Sequence, residues 1–423
     1  MKLAKIKTRY SGDLSLGKVT VFVGPNNSGK SRALVDIHHL FNTPERDKPN
    51  TTVIIDNIEV EKPAKVEDLF IGLNRVYDNG KPERVLYQGF GPQLEGSDTF
   101  AEESTDVLKR KFDKNLDLSW AFPHLSKLWI ATGQFIISTH NYNFLMGIIS
   151  TNCPVDIFRL NRSDNITKIT PIPVQDVANL TKSPILSSQR VLEAMFADGT
   201  IICEADSDRI IYQTVASQIS PNLDDLFIHA NDKQSIHKVV ELISKTASPL
   251  AAIVDIDILN DQTNFQKLIE KFPNCTNASE LIEIQKRIKK AIESQSDEEI
   301  LDKTILEVEL LTDAFSKKKP SLSELRRRLR DIEDAGSIWK PFKEKGIRVL
   351  PCLLRRDAFH LLKECKKFGL FIVPVGELES WIPLGVRKDR WINEALEKLR
   401  NGECPPRLTK FTNEVITYLR GRK

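Results

Sequence analysis

A glycine-rich loop near the amino terminus limits what this chain can fold into more than any other feature of its sequence. Residues 24–31 read GPNNSGKS and fit the pattern G-x-x-x-x-G-K-[ST] in full. The apolar run VTVFV precedes the loop and the run SRALVDIHHLF follows its lysine, which predicts a strand, a loop and a helix in that order. The sequence therefore predicts an α/β domain that begins with a phosphate-binding loop.

The residues of this loop are the expected nucleotide contacts. Backbone N–H groups of such a loop curl around phosphates, the lysine reaches the β and γ phosphates, and the hydroxyl after it coordinates Mg²⁺. We therefore expect ATP and Mg²⁺, or Mn²⁺, as cofactors. The expected contacts are Gly24, Pro25, Asn26, Asn27, Ser28, Gly29, Lys30 and Ser31, with Ser31 as the magnesium ligand.

Two segments resemble the ABC-like ATPase lobe of the OLD (overcoming lysogenization defect) family of nucleases. They are VTVFVGPNNSGKSRAL and, at residues 135–145, FIISTHNYNFL. The resemblance implies that His140 senses the γ-phosphate, and an ordinary histidine at a strand end is the alternative. The segment before that strand, DLSWAFPHLSKLWIATG, lacks the family's Asp-Glu pair. We therefore expect a shortened lobe that binds ATP, with hydrolysis left open.

Acidic residues follow two predicted strands in the second half of the chain. Glu204 follows the apolar run TIIC, with Asp208 at the opening of a predicted helix, and Asp255 and Asp257 follow the run LAAIV. Open α/β sheets build their sites at the carboxyl ends of strands, so these side chains should meet. Carboxylate oxygens without a histidine or cysteine pattern favour Mg²⁺ or Mn²⁺ over zinc. Helix-capping and turn-forming acids are the alternative.

This half resembles a TOPRIM (topoisomerase–primase) domain. The signature of that domain is a strand-end glutamate, an aspartate four residues later, and D-x-D downstream. Glu204, Asp208 and the D-I-D segment of Asp255 and Asp257 match it, although Ala205 stands where glycine is usual. The resemblance implies that these four carboxylates are catalytic and hold two metal ions, which would make the domain a nuclease.

Later residues extend the resemblance. In VPVGELESW, Glu377 and Glu379 resemble further metal-binding acids of OLD-family TOPRIM domains, and an ordinary acidic helix start is the alternative. A basic catalytic residue is expected after them to neutralise transition-state charge. Lys388 is the predicted residue, with Arg387 and Arg390 as the other candidates.

The predicted organisation is an ABC-like P-loop ATPase domain at residues 1–180 and a Rossmann-like TOPRIM domain at 181–423. Prolines and small polar residues cluster at the boundary. A charged helical insertion is expected at about 277–344, because apolar residues recur there at helical spacing. These apolar residues are Leu281, Ile284, Ile288 and Ile292. The inserted helices either pack against the neighbouring domain or bind DNA.

Composition limits the partners and the compartment. Lys and Arg number 61 against 58 Asp and Glu, a net charge of +3, so DNA contact requires a local basic patch. Residues 385–423 carry ten basic and five acidic residues with Trp391 and Phe411 among them, which fits a DNA-binding tail or a solvated helix. Six cysteines without a C-x-x-C pair indicate a reducing, cytoplasmic compartment. No secretion signal or membrane span is expected.

The resemblance implies a nucleotide-regulated, divalent-metal-dependent DNA endonuclease in anti-phage defence. It also implies a homo-oligomer and a partner protein from a defence operon. The alternative is an ATP-binding regulatory or assembly protein whose TOPRIM domain binds nucleic acid or a partner. Topoisomerase chemistry is less favoured, because it requires a nucleophilic tyrosine and none of the six tyrosines has a distinguishing context.

Overall fold

A computed structural model describes most of the chain in separate ranges. These are residues 2–42, 52–61, 74–78, 81–88, 99–101, 134–151, 153–173, 175, 192–230, 234–294, 297–317, 320–335, 339–386 and 388–421. The chain forms two compact units, Met1–Lys182 and Ser183–Lys423. No helix within the described ranges combines the length and the apolar character needed to cross a bilayer.

The amino-terminal unit is mostly strand. Its strands are β1 (Lys2–Thr8), β2 (Gly12–Ser15), β3 (Val19–Val23), β4 (Ile55–Glu61), β5 (Asn74–Asp78), β6 (Lys81–Gln88), β7 (Thr99–Ala101), β8 (Phe135–Ser138), β9 (Val155–Ser163) and β10 (Ile166–Ile172). Its helices are α1 (Lys30–Asn42) and α2 (Tyr142–Ser150). The sheets run β2-β1-β4, β10-β9-β3-β8 and β5-β6-β7. Strand β3 is parallel to both β8 and β9, so the loop after β3 and the residues after β8 lie at one sheet edge.

A buried carboxylate fixes helix α1 to this unit. Asp36 is fully buried, and its Oδ2 accepts hydrogen bonds from the backbone N–H groups of Val53, Ile54 and Ile55 at 3.0, 2.7 and 3.2 Å. Its Oδ1 accepts from Arg32 Nε at 2.9 Å. Buried charge is tolerated only with such partners. The contact therefore sets the position of the helix that follows the phosphate loop.

The carboxy-terminal unit is an α/β fold around a four-stranded parallel sheet. Its strands are β11 (Thr200–Cys203), β12 (Leu226–His229), β13 (Leu250–Val254) and β14 (Leu370–Ile372), in the order β12-β11-β13-β14. All three neighbouring pairs are parallel. The helices are α3 (Asp206–Ile219), α4 (Ile236–Ser244), α5 (Gln262–Glu270), α6 (Ala278–Glu293), α7 (Asp297–Lys317), α8 (Leu322–Ala335), α9 (Lys340–Lys345), α10 (Cys352–Phe368), α11 (Lys388–Arg400) and α12 (Pro406–Arg420). Short 3₁₀ helices span Ile256–Asn260, Gly346–Val349 and Leu378–Trp381.

The sequence explains this sheet directly. Every residue of β11, β13 and β14 is buried, as expected for parallel strands that helices cover on both faces. The predicted strands at residues 200–203 and 250–254 are confirmed with the same bounds. The predicted strand 370–375 is shorter in the structure, although Val373 is still buried in the core and hydrogen-bonded to the carbonyl of Val254 at 2.9 Å.

The charged region before β14 is helical, as predicted. The four apolar residues of α6 at helical spacing are all buried, and α6 packs against α5 and α10. Helices α7 and α8 pair with each other and expose large apolar side chains, among them Leu301, Leu310 and Leu322.

The two aromatic residues of the basic tail are buried in the core. Trp391 is 3 % exposed and Phe411 is 4 % exposed, and both lie in the hydrophobic core of the unit. The indole N–H of Trp391 donates to the carbonyl of Ile382 at 2.8 Å. Helices α11 and α12 use both rings to pack on the sheet, so a contact of this tail with DNA would depend on its basic residues.

Candidate functional site

The carboxyl edge of the parallel sheet brings two predicted acids together. Glu204 directly follows β11 and Asp255 directly follows β13, and these strands are neighbours. Glu204 Oε1 accepts a hydrogen bond from the backbone N–H of Asp255 at 3.0 Å. The contact joins the two strand ends and places both carboxylates at one point of the edge.

Asp208 supports the turn between β11 and α3. Its carboxylate is 8 % exposed, and Oδ2 accepts the N–H of Ala205 at 2.9 Å. Ala205 has φ −122° and ψ 169°, an extended conformation that any residue adopts. Alanine therefore fits at the position where glycine is usual in TOPRIM domains.

Two further acids, which follow β13 and β14, share contacts with one lysine. Asp257 is buried in the 3₁₀ helix after β13, and Glu377 lies in the segment after β14. Lys343, on helix α9, places its Nζ 2.9 Å from Asp257 Oδ2 and 3.9 Å from Glu377 Oε1. This lysine connects acids that follow two neighbouring strands, β13 and β14.

The pKa of Asp255 reflects the negative charge of the neighbouring acids. Burial, followed by the charges of Glu204, Asp208, Asp257 and Glu377, raises the pKa of Asp255 well above its usual range. Like charges at such close range disfavour ionisation unless a cation is present. The acidic group therefore favours a bound cation, although the cation is not specified by charge alone.

The donor chemistry fits a hard divalent ion, since carboxylate oxygens are the ligands that Mg²⁺ and Mn²⁺ prefer. The present geometry is more open than a finished metal site. Within the described ranges, no three or more histidine, cysteine, aspartate or glutamate side chains are gathered closely enough to hold a metal ion.

A cavity of about 720 Å³ opens beside these acids. Glu377 and Glu379 line it together with Lys340, Lys343 and Glu344, and the loop 383–386 closes one side. Its volume falls within the range of small-molecule sites, roughly 300–1,000 Å³. The cavity gives a ligand access to the acidic edge and places Glu379 next to it.

The predicted basic catalytic residue lies largely outside what the structure describes. Lys388 is the first residue of helix α11, but its side chain is outside the described part of the chain, as is all of Arg387. Arg390 is exposed on the same helix. The choice among these three residues stays a prediction.

Sequence reasoning missed two features of this edge. The first is Lys343, which lies far from every motif along the chain. The second is a cluster around Asp206, whose Oδ1 lies 2.7 Å from Arg209 Nε and 3.3 Å from His229 Nδ1. His229 ends β12, so the general rule that sites form at the ends of parallel strands was the only available signal for it.

The phosphate loop occupies the corresponding edge of the amino-terminal sheet. Lys30 Nζ donates to the carbonyl oxygens of Gly24 at 2.8 Å and Pro25 at 2.6 Å. Burial, and then the charge of Arg159, lowers the pKa of the Lys30 ammonium. Arg159 is fully buried on β9 and had no sequence signal. The loop carbonyls thus hold the lysine where a phosphate chain would compete for it.

Backbone conformation explains the glycines of the loop. Gly24 has φ 141° and Gly29 has φ 98°, values that favour glycine. A Cβ atom at Gly24 would lie 2.3 Å from the carbonyl oxygen of Leu160, so no larger residue fits without a backbone shift. The other loop residues divide into Pro25 and Ser28, which are buried, and Asn26, Asn27 and Ser31, which are exposed.

His140 lies at the same edge as the loop. It is exposed and follows β8, whose Ser138 pairs with Phe22 of β3. The N–H of Thr139 donates to the carbonyl of Phe22 at 3.1 Å. Its role as a γ-phosphate sensor stays a prediction, and the segment 117–133, which lacks the Asp-Glu pair, lies outside the described residues.

A comparison with protein families identifies the carboxy-terminal site. Residues 195–257 match the model of the overcoming lysogenization defect protein-like TOPRIM domain. The match covers β11 to β13 with Glu204, Asp208, Asp255 and Asp257, and it ends before Lys343 and the acids after β14. TOPRIM domains bind divalent metals such as Mg²⁺ and are typical of nucleases, topoisomerases and primases. The segment that forms this sheet edge up to Asp257 is thus similar to an OLD-like TOPRIM domain, which suggests a metal-dependent function in nucleic-acid processing.

Proposed function

We propose that this chain is a divalent-metal-dependent DNA endonuclease whose cutting is regulated by a bound nucleotide. The observation that carries the proposal is the group of acids at the ends of β11, β13 and β14, in which four carboxylates act on the charge of Asp255. The first four of the five acids lie within the residues that match the OLD-like TOPRIM model, which supports the proposal. Phosphodiester hydrolysis is the reaction that this donor set suits best.

Each acid has a proposed role in holding metal. Glu204, Asp255 and Asp257 would be the principal ligands, with Asp208, Glu377 and Glu379 beside them. Bound divalent ions activate water and stabilise the leaving oxygen of a phosphodiester. The chain itself sets the spacing, because the hydrogen bond from Asp255 N–H to Glu204 fixes one strand end against the other. The cavity beside Glu377 would admit the DNA backbone.

The amino-terminal unit would supply regulation. The loop 24–31 would bind ATP with Mg²⁺ on Ser31, and His140 is well placed to sense the γ-phosphate because it lies at the edge where the loop begins. Whether ATP is hydrolysed is left open. A homo-oligomer, a partner protein and a role in anti-phage defence follow only from the family resemblance, and a cytoplasmic location is proposed from the cysteine pattern.

A second candidate is an ATP-binding regulatory or assembly protein whose TOPRIM domain binds nucleic acid without cutting it. The open arrangement of the acids favours this candidate, since no group within the described ranges is gathered to hold a metal. In a binding domain the acids would serve only folding or contact with a partner. Their replacement would then abolish no catalytic activity.

Cleavage of supercoiled and linear plasmid tests the proposal. Purified protein is incubated with Mg²⁺ or Mn²⁺, with and without ATP, beside Glu204→Gln and Lys30→Ala. Glu283→Gln is the matched control, because Glu283 is an exposed glutamate on helix α6. We expect metal-dependent cutting that Glu204→Gln abolishes and Glu283→Gln retains, with Lys30→Ala removing the effect of ATP. DNA binding by folded protein without cutting in any metal would favour the second candidate.

A further inference from the structure

Lys343 is the one cation within the described ranges that contacts two acids of the candidate metal site. Its Nζ lies 2.9 Å from Asp257 Oδ2 and 3.9 Å from Glu377 Oε1. Asp257 is 10 % exposed at its side chain and Glu377 is 21 % exposed, whereas the lysine side chain is 35 % exposed. The ammonium group therefore approaches from the solvent side and covers acids that lie deeper.

The position of Lys343 is fixed by its backbone. Helix α9 meets the segment after β14 so closely that a Cβ atom at Gly376 would lie 2.0 Å from the carbonyl oxygen of Lys343 itself. A Cβ atom at Gly346, just after the helix, would lie 2.1 Å from the carbonyl oxygen of Pro374. Two glycines thus permit the approach, and both have positive φ values, 126° and 62°.

Hydrogen bonds hold the same contact. The N–H of Ile347 donates to the carbonyl of Pro374 at 3.2 Å, and Ser380 Oγ donates to the carbonyl of Glu344 at 2.9 Å. One bond lies on each side of the acidic segment. The packing of the backbone therefore positions Lys343 at the acidic edge.

We propose that the Lys343 ammonium is an internal counter-ion that competes with divalent metal for the carboxylates of Asp257 and Glu377. This role presupposes the metal site of the proposed function. In the metal-free chain the ammonium neutralises part of the charge of Asp257 and Glu377. It also holds the carboxylates of Asp257 and Glu377 toward helix α9. Metal binding then requires the ammonium to leave these oxygens.

Removal of the charge should therefore tighten metal binding. A partly exposed ion pair contributes little, roughly 1.4- to 5-fold in affinity per contact, and the lysine makes two. The expected effect of Lys343→Met is a fall in the dissociation constant for Mn²⁺ of about two- to thirtyfold. Lys343→Arg keeps the charge and should bind Mn²⁺ like the unmodified protein.

A control residue lies on the same helix. Lys340 lines the same cavity, one turn before Lys343, and makes no ion pair with an acid within the described part of the chain. Lys340→Met removes the same charge from the same surface. It should change Mn²⁺ affinity far less, because only the contact with Asp257 and Glu377 opposes the metal.

Electron paramagnetic resonance of free Mn²⁺ measures binding directly, without DNA or nucleotide. The full chain is titrated as unmodified protein, Lys343→Met, Lys343→Arg, Lys340→Met and Asp255→Asn, each checked for folding by circular dichroism. Tighter binding in Lys343→Met alone, with binding lost in Asp255→Asn, is the expected result. Equal or weaker binding in Lys343→Met, while Asp255→Asn still abolishes binding, would overturn the counter-ion role and leave the metal site intact. Absence of Mn²⁺ binding in every protein would overturn the metal site and the counter-ion role together.

Discussion

Replacement of Gly376 by alanine should destabilise the carboxy-terminal unit severely. Gly376 has φ 126°, and an added Cβ atom would lie 2.0 Å from the carbonyl oxygen of Lys343, 2.9 Å from its carbonyl carbon and 3.0 Å from Ser380 Oγ. Two of these three atoms belong to the backbone of helix α9. The helix would have to move, because a carbonyl cannot rotate away as a flexible side chain does.

The size of the effect follows from two additive terms. A non-glycine residue in this region of φ is strained by roughly 1–3 kcal/mol. Overpacking that shifts backbone adds about 1–3 kcal/mol. Together they predict a loss of about 2–6 kcal/mol in the free energy of unfolding. Gly402 provides the matched control, since it has φ 83° with nothing within 4 Å of an added Cβ atom. Gly402→Ala should show the strain alone, about 1–2 kcal/mol.

Urea unfolding of the full chain measures the difference. Tryptophan fluorescence reports mainly on this unit, because three of the five tryptophans, Trp339, Trp381 and Trp391, lie in it and are buried. The midpoint should fall clearly further in Gly376→Ala than in Gly402→Ala. Equal losses in the two variants would refute the close approach between helix α9 and the segment after β14, and with it the fixed position of Lys343.

Three further predictions concern other parts of the molecule. Asp36→Ala leaves three backbone N–H donors without their acceptor, so the amino-terminal unit should lose about 2–4 kcal/mol, and amide hydrogen exchange at residues 53–55 should accelerate. Trp381→Phe removes the buried 3.0 Å hydrogen bond to the Tyr212 hydroxyl and should cost about 1–2 kcal/mol in urea unfolding; Tyr212→Phe should add little to it in the double variant. Lys30→Ala should weaken binding of a fluorescent ATP analogue at least about tenfold, since hydrogen bonds to charged groups contribute roughly 1.5–3 kcal/mol.

The strands were predictable because parallel strands leave a simple trace in sequence. Strands β3, β11 and β13 are short runs of apolar residues, and the structure gives each the predicted bounds. Strand β14 shows the limit of this signal. Apolar residues continue from Val373 to Val375, but the strand ends at Ile372 and only one further hydrogen bond to β13, from Val373 to Val254, follows it among the described residues. Burial in a core does not require continued strand pairing.

The placement of the acids was predictable for the same reason, whereas their counter-ion was not. Glu204 and Asp255 directly follow apolar runs, and strand order brings them to one edge. Lys343 lies in a charged helical region where lysines recur, so neither spacing nor periodicity distinguishes it. Only the close approach at Gly346 and Gly376 places it at the acids. That approach depends on tertiary packing, which local sequence does not encode.

Negative charge at the acidic edge opposes folding, and it is reduced both by protonation of Asp255 and by the ammonium group of Lys343. Because burial and neighbouring charges raise the pKa of Asp255 above its value in the unfolded chain, the folded state binds this proton more tightly. This group therefore destabilises the fold progressively as the pH rises from the unfolded pKa through the folded one. The ammonium of Lys343 contacts Asp257 and Glu377 and offsets part of their charge. A divalent ion would replace the proton and the ammonium together, so metal binding and the stability of this unit should be coupled.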